Sequence, residues 1–466
     1  MRPFPNLLVV LAAASCAAPA NQHATSSAWA FQITLEDEAH ELVIRAALPP
    51  GPTIALRAAP ATMPFLSAVQ LTTGSAPPEW LLAHDGAFTV GASTKPRALQ
   101  WRFDARAAAQ QVDDADLAAW RGRGFLGSLS AFLLHPTDSS PDVLFTLQVQ
   151  AANGLSFACA GQHDGATWHG RLEDLPRLPA CAFGAIAIRT LSLANPRFEV
   201  VELAPRRDAS AAALDTWALD AFAATTRYFG TFPVDHLLLL IVPGQGHQIR
   251  GGSARGLGGA RILVDVPLRL RAEQFANDWV LFHEMIHLGL PSLPPAQHWL
   301  EEGSATYLEP LLQARAGRVT EPAVWAAMLA EFAQGIAAPG AGGIDDDDSW
   351  GRTYYGGAIF CLLADVEIRS RTHNRYSLQD ALKAVVAGGG NITRLGTIED
   401  VIAVGDQATG TTVLAELYER MRTSVEPREL DPLWQRLGVR TDGAGIAFDE
   451  AAPLATVRRA LVLGRQ

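Results

Sequence analysis

The chain changes its hydrophobic rhythm once, near Leu203 to Asp208, and that change commits it to a fold in two parts. Before it, from Phe31 to Val201, apolar residues come in short runs: FQITL, LVIRAAL, TIALRA, LQWRFDA, VLFTLQV, AIAIRTLSL and FEVVEL. Gly, Pro, Asp and Ser punctuate the runs at intervals of roughly ten to twenty residues, as in an antiparallel sandwich. After it, apolar residues recur at helical spacing, beginning with AALDTWALDAFAATTRYFG over 212–230, which ends on a glycine. Two strand-like runs, LLLLIV at 237–242 and RILVDV at 261–266, then flank a glycine-rich loop. Helical patterns follow over 273–288, 297–314, 321–336, 354–369 and 377–386, the last behind a Ser-x-x-Asp capping box. The layout expected is α+β: an antiparallel β-sandwich over 28–203 and a mainly helical domain with a small β-sheet over 204–440. Residues 441–466 are expected to add a hairpin and a helix packed on the second domain.

Composition narrows the partners. With 48% apolar and 18% charged residues the chain is globular. Its net charge of −11 excludes the basic face that a phosphate backbone requires, so nucleic acid is not an expected partner. The segment MRPFPNLLVVLAAASCAAPAN reads as an export signal over 1–20, with Arg2, an apolar core at 7–14 and small residues beyond. Ala-Ala-Ser-Cys at 13–16 resembles a lipoprotein cleavage site, which makes Cys16 the lipidation candidate and the N-terminal lipid the expected membrane attachment. Ala18-Pro19-Ala20 suits ordinary signal peptidase equally, so the expected location is the periplasm or cell envelope, with secretion as the alternative. In an oxidising compartment Cys159 and Cys181 either pair, closing a loop of about 22 residues worth roughly 3 kcal/mol, or remain buried free thiols. Cys361, in the apolar run AIFCLLADV, reads as a small core residue. His135, His163 and His169 fall in or beside turns and are expected to be ordinary loop or surface histidines.

The chemistry is concentrated in FHEMIHLGLPSLPPAQHWLEEGSATYLEP, residues 282–310. Residues i and i+4 of a helix share a face, so His283 and His287 can offer two ring nitrogens to one cation. A catalytic zinc takes three protein ligands and keeps a position for water, whose pKa falls to about 7. Glu284 is then placed to hold that water and accept its proton. The third ligand has to come from a second helix, and WLEEGSATY carries two carboxylates, Glu301 and Glu302, beside Gly303, which permits close approach. Without a metal, two histidines and a glutamate on a buried face would be costly. One Zn²⁺ per chain is expected.

HEMIH followed by WLEEGSATY resembles the HExxH…WLxEGxAxY pattern of gluzincin zinc metallopeptidases, whose catalytic domain is thermolysin-like and in which the glutamate before the glycine is the third ligand. That resemblance implies Glu302. RTYYGGAIFCLLADVEIRSRTHNRYSLQDAL at 352–382 looks like a stretch of the glycyl aminopeptidase family, and ATTRYFGTFPVDHLLLL and LEDLPRLPA extend the likeness over most of the chain. The resemblance further implies Tyr354, three residues before Gly357, as donor to the oxyanion, with Tyr355 as the alternative. The family's substrate loop reads GGLEH, its glutamate contacting a free α-amine, whereas this chain has GGSAR at 251–255. Gly251 and Gly252 are retained as backbone contacts for an extended peptide, and the anchor glutamate is missing. The expected activity is hydrolysis of a peptide or protein substrate, as an endopeptidase or with an unusual peptide specificity. An aminopeptidase of the glycyl type and a non-catalytic lipoprotein that binds through the same scaffold are the alternatives. Arg250, Arg255 and His247 read as exposed loop residues or, for the arginines, as a carboxylate clamp. The run Asp345 to Asp348 reads as a solvated loop, with calcium binding as the alternative.

Overall fold

A computed structural model describes residues 28–464 apart from 139–141, 179–180, 192–195, 206–208, 337–341, 424–429 and residue 444. The export segment and Cys16 lie outside the described residues. The first part of the chain is built on an eight-stranded sheet centred on Ala28–Glu36, Glu41–Leu48 and Arg97–Asp104, which pair antiparallel. Strict alternation along Ala28–Glu36 turns Trp29, Phe31, Ile33 and Leu35 inward, onto a core that contains the rings of Phe103, Phe125, Phe132 and Phe183. A four-stranded and a three-stranded sheet complete this part. The expectation of a wholly antiparallel sandwich needs one correction, because Ala28–Glu36 runs parallel to Leu144–Ala151. Between those two strands the chain visits the smaller sheets, and that crossover returns it in its original direction.

The second part contains a five-stranded sheet in the order Ala187–Leu191, Arg197–Glu202, His236–Gly244, Ala260–Pro267, Gly252–Arg255. Its three middle strands are parallel and the outer two pair antiparallel. Two of these strands precede residue 203, so the sheet begins at Ala187 and not beyond the change of rhythm. A run such as FEVVEL announces a buried strand without saying which sheet it joins. Both faces of the sheet are covered. Leu237, Leu239 and Ile241 face the helices, while Leu238, Leu240 and Val242 pack with Leu126, Ala158 and Ala182 of the sandwich. Double burial is why HLLLLIVPG is continuously apolar instead of alternating. The fully buried Arg261 crosses the same junction to Asp116 and also bonds the Ser253 hydroxyl on the neighbouring strand of its own sheet.

Helices supply the rest. Ala209–Phe229 is one long helix, but the pattern at 273–288 breaks into Ala272–Ala276 and Val280–His287. The break is made by Asp278, whose carboxylate accepts the amides of Val280 and Leu281 at 3.1 Å each and the Trp217 indole N–H at 2.9 Å. Such a cap satisfies amides that the first turn leaves unpaired. The hairpin Val439–Asp442 and Gly445–Phe448 and the helix Ala455–Leu463 close the chain, and Arg315 donates to the carbonyls of Leu461 and Val462. Among the described residues no helix is long and apolar enough to cross a membrane. Cys159, Cys181 and Cys361 are all buried and free, so the considered Cys159–Cys181 pairing is not made. Burial pushes the Cys159 thiol up to about 11, which keeps it protonated and inert. His135 is buried rather than at the surface, with Nδ1 at 3.0 Å from the Leu133 carbonyl.

Candidate active site

The histidine helix Val280–His287 crosses the glutamate helix His298–Arg315. The proline-containing link between them is fastened at Ser292, whose amide donates to the Arg394 carbonyl at 2.8 Å and whose carbonyl accepts from Gly396 at 3.1 Å. Across the crossing, Nε2 of His283 and Nε2 of His287 lie 3.3 and 3.6 Å from the same oxygen of Glu302, Oε2. The three ligand atoms fall within 4.8 Å of one another, and all three side chains are nearly buried. Glu301 is turned away, with Oε2 at 2.9 Å from Nδ1 of His298. Geometry therefore separates the two glutamates, and it is Glu302 that converges with the histidines.

A third helix, Gly357–Arg371, reaches the site because two glycines meet. A Cβ on Gly303 would stand 2.2 Å from the Gly357 carbonyl carbon, and one on Gly357 would stand 2.0 Å from the Trp299 carbonyl oxygen. The helices cross at backbone contact, a distance that only glycine permits. Below them Tyr307 donates to Asp365 at 3.0 Å, and Asp365 also accepts from Arg369 and the Leu378 amide. The helix is preceded by a π-helical turn, Arg352–Gly356, of the kind often found at functional sites. It aims Tyr354 at the cluster of His283, His287 and Glu302: its ring stacks over His283 with centroids 6.3 Å apart, and Glu302 acts electrostatically on its hydroxyl. Tyr355 points elsewhere, with Glu331 acting on its hydroxyl and its ring near Phe332 and Trp350.

Burial and charge divide the labour among these groups. Burial pushes His287 down to about 4, which leaves it neutral, the form that ligates a metal. Burial works to raise the Glu302 carboxyl, but bonds from His283 and His298 outweigh it and hold Glu302 far below the usual carboxylate range. Glu284 goes the other way, pushed up to about 7, chiefly by burial. Burial and the Glu302 charge push Tyr354 up to about 12, so its hydroxyl keeps its proton. A neutral His287, a second imidazole from His283 and an anionic carboxylate at a shared focus make a donor set that fits Zn²⁺.

Gly252 stands directly against Glu284: a Cβ there would come within 2.7 Å of Glu284 Cγ and 2.9 Å of Oε1. The glycine-rich loop is a strand at this point, Gly252–Arg255, and among the described residues it pairs only with Ala260–Pro267, leaving its other edge unpaired. Gly251 accepts the Asp265 amide at 3.1 Å. Arg255 is exposed and leans to Asp116 at 3.6 Å, and Arg250 and His247 are exposed as anticipated. The acidic run is only partly solvated, because Asp345 accepts the Trp299 indole N–H at 2.8 Å and the Tyr418 hydroxyl at 2.7 Å.

The sequence reading did not single out two residues that matter here. His298, one helical turn before Glu302, has Nε2 at 3.2 Å from Oε1 and is raised to about 10 by Glu301 and then Glu302. Its position i, i+4 to Glu302 was the available signal. It fixes the oxygen that the other two histidines leave free, and supports of this kind commonly contribute 10- to 100-fold to metal affinity. We expect His298→Ala to weaken zinc binding by about that factor in competition with a chromogenic chelator, with the fold retained. Glu309 is the other. Burial pushes it up to about 7, its carboxylate accepts from Gln313, and it acts electrostatically on His283.

No family model matches the sequence, and no curated protein matches it. Solved structures do. An aminopeptidase N family protein from Idiomarina loihiensis aligns with a TM-score of 0.67 at 14% identity, over 88% of this chain and 78% of that one. An M1 zinc metallopeptidase from Deinococcus radiodurans aligns at 0.51 and 14%, over 87% and 94% of the two chains. A variant of the Deinococcus metallopeptidase bound to a Tyr-Ser-Ala substrate aligns at 0.50 and 15%, over 87% and 95%. At these identities the shared property is the fold, and it spans both parts of the chain.

Proposed function

We propose that the chain is a zinc metallopeptidase that hydrolyses peptide bonds, with His283, His287 and Glu302 as the ligands of one catalytic zinc. The observation that carries this reading is the convergence of both Nε2 atoms on Glu302 Oε2, with Glu284 and Tyr354 at the same focus. The fold neighbours that are zinc metallopeptidases support it. When bound, zinc supplies a Lewis acid that lowers the pKa of water and draws electron density from a carbonyl. The remaining work falls to side chains. Glu284 accepts the proton of the attacking water and passes it to the departing amine, for which a carboxyl near 7 is matched to neutral pH. Tyr354 donates its hydroxyl to the oxygen that gains charge as the carbonyl becomes tetrahedral. Tyr354→Phe is expected to lower kcat by about 100- to 1,000-fold with little change in KM, the size typical of one oxyanion donor. Steady-state kinetics on a single peptide check it, and a change under fivefold would remove Tyr354 from the mechanism.

The substrate backbone is proposed to lie along the unpaired edge of Gly252–Arg255, with Gly251 and Gly252 offering main-chain contacts. Trp279 and Trp350, each at least half exposed, pack against His283 and Tyr354 respectively. They favour apolar side chains beside the scissile bond. With no glutamate in GGSAR to bind a free amine, we read the enzyme as an endopeptidase. An aminopeptidase of the glycyl type is the second reading, favoured by the aminopeptidase N family neighbour. Export to the periplasm or cell envelope, with Cys16 lipidated, completes the proposal on the strength of the N-terminal sequence. Cleavage of a mixed peptide pool by zinc-loaded protein decides the specificity. Equal turnover of free and acetylated N-termini supports the endopeptidase, loss of all acetylated substrates establishes the aminopeptidase, and no turnover of any peptide sinks both.

A further inference from the structure

Where the sandwich meets the five-stranded sheet, among the described residues a second set of side chains converges, on elements that take no part in the first site. His163 comes from the hairpin strand Gln162–Asp164. Glu199 and His236 come from the neighbouring parallel strands Arg197–Glu202 and His236–Gly244. They continue the sheet face that carries Val201, Leu238 and Leu240 onto the sandwich. Their side chains are only 6%, 10% and 14% exposed. Nε2 of His236 is 2.8 Å and Nε2 of His163 is 3.7 Å from the same oxygen, Glu199 Oε2, and the three ligand atoms lie within 4.8 Å of one another.

The hydrogen bonds say what is missing between them. Nδ1 of His163 is 3.0 Å from the Gly165 carbonyl, and a carbonyl can only accept, so Nδ1 carries the proton. In the neutral ring Nε2 then presents a lone pair toward a carboxylate oxygen, and this buried nitrogen has no hydrogen-bond partner. Nδ1 of His236 is a second buried nitrogen without one. A lone pair facing an anion is unfavourable unless a cation stands between them. An imidazole that donates Nδ1–H to a backbone carbonyl while Nε2 points at a shared focus is the usual posture of a metal-ligating histidine. Arg197 holds the other oxygen of Glu199 at 2.8 Å, which fixes the carboxylate and leaves Oε2 for the focus. The Trp168 ring stacks on His163 with centroids 5.5 Å apart and keeps it in place.

We propose that His163, Glu199 and His236 form a second metal site, for zinc or a similar divalent transition ion, that clips the sandwich hairpin to the central sheet. Two imidazoles and one carboxylate suit such an ion better than calcium or magnesium, which take oxygen ligands. This focus lies on the sheet face that packs on the sandwich. Its role is to hold the two parts together, and it stands whether or not the chain is a peptidase.

The test uses the full chain, stripped with a chelator, reloaded with zinc sulfate, desalted, and counted for metal by mass spectrometry. Wild type is expected to retain about two equivalents, His163→Ala about one, and the double variant His283→Ala/His287→Ala about one. In that double variant zinc should raise the thermal unfolding midpoint, and adding His163→Ala should abolish the rise. Cobalt loading gives a second readout if a variant folds poorly, since a visible ligand-field band should persist in the double variant and vanish with His163→Ala. Metal content that is the same in wild type and in both His163→Ala and His236→Ala, or a His283→Ala/His287→Ala variant that holds no metal, overturns the proposal. In that case a proton, not a metal, reconciles the three groups.

Discussion

Glu284→Gln is expected to lower peptide hydrolysis by about 10²- to 10⁴-fold, the contribution of a positioned general base, while zinc content stays as in wild type. The substitution keeps the shape of a side chain that packs on Gly252 and removes only its capacity to take a proton. The ligands are untouched, because the two histidines converge on Glu302 and not on Glu284. Stability should not suffer either. Burial raises the Glu284 carboxyl to about 7, so its charged form is disfavoured in the folded protein and a neutral amide relieves that cost. The same shift sets the direction of the pH profile. A group with a raised pKa is protonated on the acid side, so kcat/KM falls as pH drops through it, and a bound cation moves that limb lower. Kinetics from pH 5 to 8 with metal analysis of the same samples check this. Activity within tenfold of wild type, or loss of the metal, would show that Glu284 is not the base.

The histidine and glutamate cluster was legible in the sequence because helical spacing is a local rule. His283, Glu284 and His287 share one helix, and the strand and helix runs around them follow from periodicity. The choice of Glu302 over Glu301 came through resemblance, and the structure supports it physically by turning Glu301 to His298. What escaped was non-local. His163 read as a turn histidine because its partners, Glu199 and His236, come from strands of the other sheet, brought together only by the packing of two domains. AIAIRTLSL and FEVVEL were placed with the sandwich for the same reason, since a buried strand carries no mark of its sheet. The edge strand inside the glycine loop was hidden by its composition. Gly251 to Arg255 has the residues of a turn, and it pairs because Ile262 and Leu263 offer a strand to pair with.

Gly303→Ala is expected to disable the enzyme without touching any reacting group. A methyl at this position would meet Gly357 Cα at 2.3 Å and its carbonyl carbon at 2.2 Å, and both atoms belong to a helix backbone that cannot rotate aside. The two helices must separate, and separation carries Tyr354 away from Glu302 and shifts Glu302 relative to the histidines. Overpacking of this kind typically costs about 1–3 kcal/mol, and backbone contact puts Gly303 at or above the upper end. The unfolding midpoint should drop accordingly, whereas Gly91→Ala, where a Cβ meets nothing within 4 Å, should leave it unchanged. Activity should fall by at least the loss assigned to Tyr354, about 100-fold. Coupling is the sharper reading. If Gly303 acts by seating the tyrosine, Tyr354→Phe should cost far less in the Gly303→Ala background than in wild type, a non-additivity that a double-mutant cycle measures directly. Full additivity of the two losses would mean that the glycine crossing serves stability alone, and that Tyr354 reaches the ligand set by some other support.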